Sequence, residues 1–163
     1  MSHHWAGVKR ERECSACSGP FYLIERNLPV SLKSMLLEAE RQAAIMSMLP
    51  VGFGDTLKAH MERKGFTQET LAEAVGMDPR TIQRMISGKQ ASFRNVIAIS
   101  LAMGLSYIEA EDLLKKAGLL LLPTNKEHLL FMQMLQVGGF SDLEIVNAEL
   151  SELGVQRLGG GGI

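Results

Sequence analysis

The sequence predicts an all-α protein, and three observations support this fold class. From residue 51 onward, residues that favour helix starts alternate at helical lengths with glycines that favour helix ends. Apolar residues recur three or four positions apart, and no segment reads as a convincing strand. The chain has 163 residues, of which 46% are hydrophobic. This is enough for one real core or two small ones, and it excludes a largely disordered chain.

Residues 1–50 form the first predicted segment. Up to Pro29 the sequence lacks sustained periodicity and is expected to be irregular. A helix is predicted over residues 31–49, closed by Pro50. Its apolar stripe consists of Leu32, Leu36, Ala39, Ala43 and Met46.

Three short helices are predicted between residues 51 and 88. The first runs from Asp55, as N-cap, to Lys64. The second starts at Thr67 and stops at Gly76. The third has Asp78 as its cap and Pro79 at the first helical position, where the missing N–H costs nothing, and it ends at Gly88.

The later helices are predicted from composition and from repeated caps. Residues 93–103 are almost wholly apolar, which places that helix at the centre of the core. Three capping boxes then open three further helices: Ser106 with Glu109, Thr124 with Glu127, and Ser141 with Glu144. We therefore divide the chain into an N-terminal segment (1–50), a central domain (51–105), a helical extension (106–154) and a flexible tail (155–163) that holds four consecutive glycines.

Charge is unevenly distributed along the chain. The formal net charge is -1, which gives no global sign of a nucleic-acid partner. Residues 1–50 carry 6 basic and 5 acidic side chains, residues 51–104 carry 7 and 5, and residues 105–163 carry 4 and 8. The central domain is thus mildly basic and the extension is acidic.

The segment Thr67–Lys89 has the elements of a helix-turn-helix, in which the second helix lies in the DNA major groove. Gly76 permits the backbone of the turn, and Ala72 is small where the two helices would cross. The second helix is amphipathic, with the apolar side chains Ile82, Met85 and Ile86 on its inner face. Arg80, Gln83, Arg84 and Lys89 share its outer face.

Residues 53–105 resemble the lambda-repressor-like, or Xre-type, helix-turn-helix domain of bacterial and phage regulators. The matching signature is Thr67-Gln68-Glu69, Leu71-Ala72-Glu73, Gly76, Thr81-Ile82, Arg84 and Gly88-Lys89. The resemblance implies a five-helix domain. Two departures matter: Met85-Ile86 replaces the family's aromatic or Leu followed by Glu, and Pro79 removes one possible base contact.

The resemblance implies roles for individual side chains, and their chemistry agrees. Base reading is expected from Arg80, Gln83 and Arg84, because arginine pairs with guanine and the glutamine amide suits adenine. Phosphate contacts are expected from Gln68, Thr81, Lys89 and Arg94. The alternative is that Arg80 and Arg84 form an ordinary solvated helix face. Asp78 has the wrong charge for DNA and is assigned to capping alone.

The expected function is that of a transcriptional regulator that binds double-stranded DNA as a homodimer. Its half-sites would lie about 34 Å apart. Repression by occluding a promoter is expected, and activation stays open. The runner-up is an antitoxin or adapter that grips a partner protein through its apolar C-terminal helices. The predicted helix over 124–138 is apolar nearly all round, which fits either a partner surface or the centre of a bundle.

Other function classes find little support in the sequence. Cys14 and Cys17 form half of a zinc site, but His3, His4, His60 and His128 supply no convincing second half, so neither a metal nor a cofactor is predicted. No catalytic constellation is recognisable. The long uncharged stretch over residues 95–108 is shorter than the roughly 18 apolar residues of a membrane span. A cytoplasmic location is expected.

Overall fold

The computed structural model describes residues 31–89 and 91–160. Over these ranges the protein is all-helical, without a strand, as predicted. The helices are α1 (Leu32–Met48), α2 (Phe53–Lys64), α3 (Gln68–Val75), α4 (Pro79–Ile86), α5 (Phe93–Ala102), α6 (Tyr107–Lys116), α7 (Lys126–Val137) and α8 (Leu143–Glu152). In the part of the chain described, no helix combines the length and the apolar character that crossing a membrane requires.

The chain divides into two compact units, residues 1–45 and residues 46–163. Most of α1 belongs to the first unit. The helix lies where the sequence predicts it, but none of its residues is buried. Leu32 and Leu36, from the predicted apolar stripe, are 83% and 59% exposed. Among the described residues, the predicted apolar stripe of α1 therefore does not pack into a core.

In the second unit, the core is built around α5. Every residue from Val96 to Ala102 is buried, because α5 contacts α3, α6, α7 and α8. An apolar helix surrounded on all sides in this way is what its sequence predicts. Phe131 of α7 and Leu113 of α6 are fully buried and extend the same core into the helical extension.

Three predicted helix starts agree with the structure. The Thr67 hydroxyl accepts a hydrogen bond from the Thr70 N–H, and the Asp78 carboxylate accepts one from the Arg80 N–H. Ser106 and Glu109 form a reciprocal capping box. These side chains satisfy backbone donors that have no partner within the first turn of a helix.

Three other predicted starts were wrong by one to three residues. The N-cap of α2 is Gly52, and Asp55 lies in the first turn, where its negative charge suits the helix dipole. Asn125 and Asp142, one residue after the predicted Thr124 and Ser141, cap α7 and α8. In each case one side-chain oxygen accepts hydrogen bonds from two backbone N–H groups of the first turn. The hydroxyl of the preceding residue does not reach these N–H groups.

The expectation of a flexible tail over residues 155–163 needs correction for residues 155–160. Leu158 is only 1% exposed. Its N–H and C=O both bond to the side-chain amide of Asn147, at 2.7 and 2.9 Å. Burial of a leucine together with two hydrogen bonds outweighs the flexibility that the glycines suggest. Residues 161–163 lie outside the described ranges.

Charged side chains between α2 and α6 surround a buried histidine. His60 has no exposed surface, and its Nδ1 lies 3.1 Å from Nη2 of Arg63, which also pairs with Glu109. Because a guanidinium only donates, Nδ1 accepts and the ring proton sits on Nε2, which has no hydrogen-bond partner among the described residues. Burial lowers the pKa of His60 below its ordinary value, Glu109 raises this pKa and Arg63 lowers it.

We expect His60 to make stability depend on pH. Its pKa is below 6.5 in the folded chain and returns to 6.5 on unfolding. Below pH 6.5 the unfolded chain therefore binds more protons, and the free energy of unfolding should fall as the pH drops from about 7.5 to about 5.5. Urea titrations across that range should show a shallower pH dependence for His60→Gln. An identical pH dependence in both proteins would contradict the assignment.

Candidate nucleic-acid interface

The turn between α3 and α4 adopts the backbone conformation that was expected of Gly76. Gly76 adopts φ 63° and ψ 33°, the left-handed conformation that favours glycine. The Gly76 N–H donates to the Glu73 carbonyl, and the Met77 N–H donates to the Ala72 carbonyl at 2.8 Å. Val75 and Ala72 are buried just before the turn. The chain thus ends α3 tightly at Val75 and begins α4 at Pro79, after three intervening residues.

Helix α4 presents a buried face and an exposed face. Ile82 and Met85 are 0% and 2% exposed and pack into the core. Arg80, Gln83 and Arg84 are all exposed. The predicted division between an inner apolar face and an outer polar face is therefore confirmed. The three side chains assigned to base reading share one accessible surface.

The two arginines of α4 differ from the arginines of α2 and α5. Arg63 and Arg94 are ion-paired with Glu109 and Glu127. Within the described ranges, Arg80 and Arg84 have no acidic partner within salt-bridge distance. Their charge is consequently available to an external anion. The Gln83 amide lies 3.5 Å from the Ser87 hydroxyl, which itself donates to the Gln83 carbonyl.

The residues assigned to phosphate contacts lie near the ends of the two helices. Gln68 is the first residue of α3 and is partly exposed. Thr81 lies in the first turn of α4 and is also partly exposed, and Lys89 is exposed just beyond the end of α4. All three retain surface from which a polar group can reach an external oxygen.

Arg94 is placed differently from the other three. Its Nη2 pairs with Glu127 of α7, and its Nη1 donates to the Gln156 carbonyl at 2.8 Å. The guanidinium also lies 6.0 Å from the centre of the Phe131 ring. Arg94 therefore connects α5 with the extension, and its charge is already neutralised. The phosphate contact expected of Arg94 stays a prediction, which this internal ion pair does not favour.

One residue that positions α4 was missed by the sequence analysis. Gly54 of α2 faces the end of α4 so closely that a Cβ there would lie 2.0 Å from the Ile86 carbonyl oxygen. Glycine lets the two helices approach backbone to backbone. A glycine in the first turn of a helix was a signal for this contact, since glycine otherwise weakens a helix.

Metal binding finds no support in the described part of the chain, where no three His, Cys, Asp or Glu side chains cluster. Cys14, Cys17, His3 and His4 lie outside the described residues, so the half-site that they form is not addressed by the structure.

Comparison with known proteins agrees with this geometry. The helix-turn-helix family model matches residues 57–109. Over this segment the chain is similar to helix-turn-helix domains. The match runs from within α2 into the first turn of α6, and it contains the whole of α3, α4 and α5. Helices α7 and α8 lie beyond it.

A regulator with a similar domain is found in Pseudomonas aeruginosa. The HTH-type transcriptional regulator PrtR is 44% identical to this protein over 57 residues. These residues make up 35% of this chain and 22% of PrtR. The similarity therefore covers only a minor part of each protein. No solved structure matches the chain.

We expect Gly54→Ala to destabilise the helix-turn-helix domain. At an open helical site this change would stabilise by about 1 kcal/mol through helix propensity. Here the added methyl overlaps a backbone carbonyl, and overpacking costs about 1–3 kcal/mol. Chemical denaturation gives the difference, and Gly52→Ala is the control because its Cβ would meet nothing closer than 3.6 Å. An increase in stability for Gly54→Ala would contradict the close approach.

Proposed function

We propose that the protein is a sequence-specific transcriptional regulator that reads the DNA major groove with α4. The observation that carries the proposal is the pair Arg80 and Arg84, both exposed and without an acidic partner among the described residues, on a helix whose opposite face is buried. Four positions apart, the two side chains share one helix face. Each guanidinium offers paired donors that match guanine O6 and N7, and Gln83 offers an amide that suits adenine.

In this proposal, phosphate contacts set the register of α4. Lys89 neutralises a phosphate at the end of the recognition helix, while Gln68 and Thr81 donate hydrogen bonds to phosphate oxygens. Such contacts carry no sequence information by themselves. The modest charge of the domain makes affinity depend on these few well-placed groups, and less on a broad basic field.

We further propose that two copies bind a two-fold symmetric site and that binding represses transcription by occlusion. Two recognition helices would then meet half-sites about 34 Å apart. Selection of bound duplexes from a random DNA pool tests binding and symmetry together. A single enriched palindrome supports the dimer, whereas a single half-site supports a monomeric reader.

A second candidate function is partner binding through the extension. Leu129 and Val137 of α7 are 40% and 70% exposed, although Phe131, Met134 and Leu135 of the same helix are buried. An antitoxin or adapter would use such residues to hold a partner protein. Under this alternative, the random pool yields no enriched sequence.

We expect Arg84→Ala to lower discrimination between the selected duplex and random DNA. Loss of one bidentate base contact should remove about 1–3 kcal/mol of that discrimination. Arg41→Ala in α1 is the control, because it removes the same charge from an exposed helix outside the domain. The comparison uses fluorescence anisotropy at fixed salt. Equal weak binding of all duplexes by the wild type and by Arg84→Ala would contradict the proposal.

Lys89→Ala should behave differently from Arg84→Ala. Removal of a phosphate contact should weaken binding to all sequences alike and reduce the slope of log K against log salt by about 1. A salt titration with the selected duplex and with random DNA measures both effects. If Lys89→Ala changes the preference for sequence and leaves the salt slope intact, its role is not phosphate contact.

A further inference from the structure

The segment after α8 returns to the turn of the helix-turn-helix. The Gly160 N–H donates to the Val75 carbonyl at 3.2 Å. A Cβ on Gly159 would lie 2.3 Å from the Val75 oxygen, and a Cβ on Gly160 would lie 2.1 Å from the Gly76 oxygen. At both positions only glycine allows so close an approach of two backbones. These glycines therefore form a contact surface, although their sequence resembles that of a linker.

The contact with Gly160 gives the Val75 carbonyl a hydrogen bond that α3 itself does not provide. Val75 is the last residue of α3, and the final carbonyls of a helix have no intrahelical partner. The N–H groups of Gly76 and Met77 donate to Glu73 and Ala72, one turn earlier. The Val75 carbonyl accepts instead from Gly160, which lies 85 positions later in the chain. The turn of the DNA-reading motif is thus completed by the C-terminal segment.

A buried asparagine fixes that segment in place. Asn147 of α8 is 7% exposed, and its amide bonds to both the N–H and the C=O of Leu158, one residue before Gly159. Arg94 donates to the Gln156 carbonyl two residues earlier. The register of residues 156–160 is therefore set by α5 and α8, so Gly159 and Gly160 reach the turn at a defined position.

We propose that residues 156–160, held by Asn147, position α4 for DNA reading. The segment restrains Val75 and Gly76, which lie three and two positions before the α4 cap Asp78, so it fixes the direction in which α4 leaves the turn. Asn147, Gly159 and Gly160 are positioning residues, and they act through Arg80 and Arg84 without contact with DNA. The inference rests on the proposed function, because it assigns the extension a role in sequence discrimination.

The glycines of the chain provide a matched pair of variants. Gly159 and Gly154 both have left-handed backbones, with φ 77° and 71°. A Cβ on Gly154 meets nothing within 4 Å, whereas a Cβ on Gly159 overlaps the Val75 oxygen. Gly154→Ala therefore reproduces the backbone strain of Gly159→Ala without the overlap. Gly160→Ala is a second variant, at a position outside the left-handed region.

The first readout is the ratio of affinities for the selected and random duplexes, measured on the full chain at a temperature where circular dichroism shows each variant folded. Gly159→Ala and Gly160→Ala should lower this ratio by about tenfold, as expected when one bidentate base contact is misaligned. Affinity for random DNA should not change, because the proposed phosphate contacts of Lys89, Gln68 and Thr81 remain. Gly154→Ala should keep the wild-type ratio. A ratio for Gly159→Ala equal to that of Gly154→Ala overturns the proposal.

The second readout is independent of DNA binding. Amide chemical shifts of the free protein should change at residues 76–85 in Gly160→Ala and in Asn147→Asp, which keeps the acceptor for the Leu158 N–H and loses the donor to its carbonyl. Shifts confined to residues 147–160 overturn the proposal. If the wild type has no sequence preference, the proposed function fails, and the amide shifts alone decide whether the segment positions α4.

Discussion

The eight residues of α4 carry all three side chains proposed to read DNA, and a helix of this length does not persist alone in water. Its direction is imposed by burial of Ile82 and Met85 and by the backbone of Gly54, which approaches the Ile86 carbonyl. On the other side, the turn before it contacts Gly159 and Gly160. The outward position of Arg80 and Arg84 follows from these restraints.

The helical extension is therefore tied to the helix-turn-helix domain by polar contacts as well as by core packing. Arg94 joins α5 to Glu127 of α7 and to Gln156, and Asn147 bonds to Leu158. Since Glu127 and Arg94 are both partly exposed, their ion pair contributes less to stability than a buried pair would. The ion pair between Arg94 and Glu127 therefore defines the position of α5 relative to α7 more than it stabilises the fold.

The sequence predicted what depends on local chemistry. The all-α fold, the buried helix α5 and the two faces of α4 follow from apolar periodicity and from caps such as Thr67 and Asp78. Contacts between distant residues were not predictable in this way. The contacts of Arg94 were not foreseen because its partners lie 33 and 62 positions away, and Gly159 was expected in a flexible tail. Asn147 did leave a signal, as a polar residue beside Val146 and Leu150 on the buried face of α8.

The central claim is that α4 is the surface that meets DNA. Its most direct test is titration of the isotopically labelled protein with the duplex selected from a random pool, followed residue by residue through amide and side-chain guanidinium signals. The largest perturbations should lie in residues 79–89, including the guanidinium groups of Arg80 and Arg84, with smaller ones at the start of α3. Perturbations confined to α7 and α8, with α4 unchanged, would contradict it.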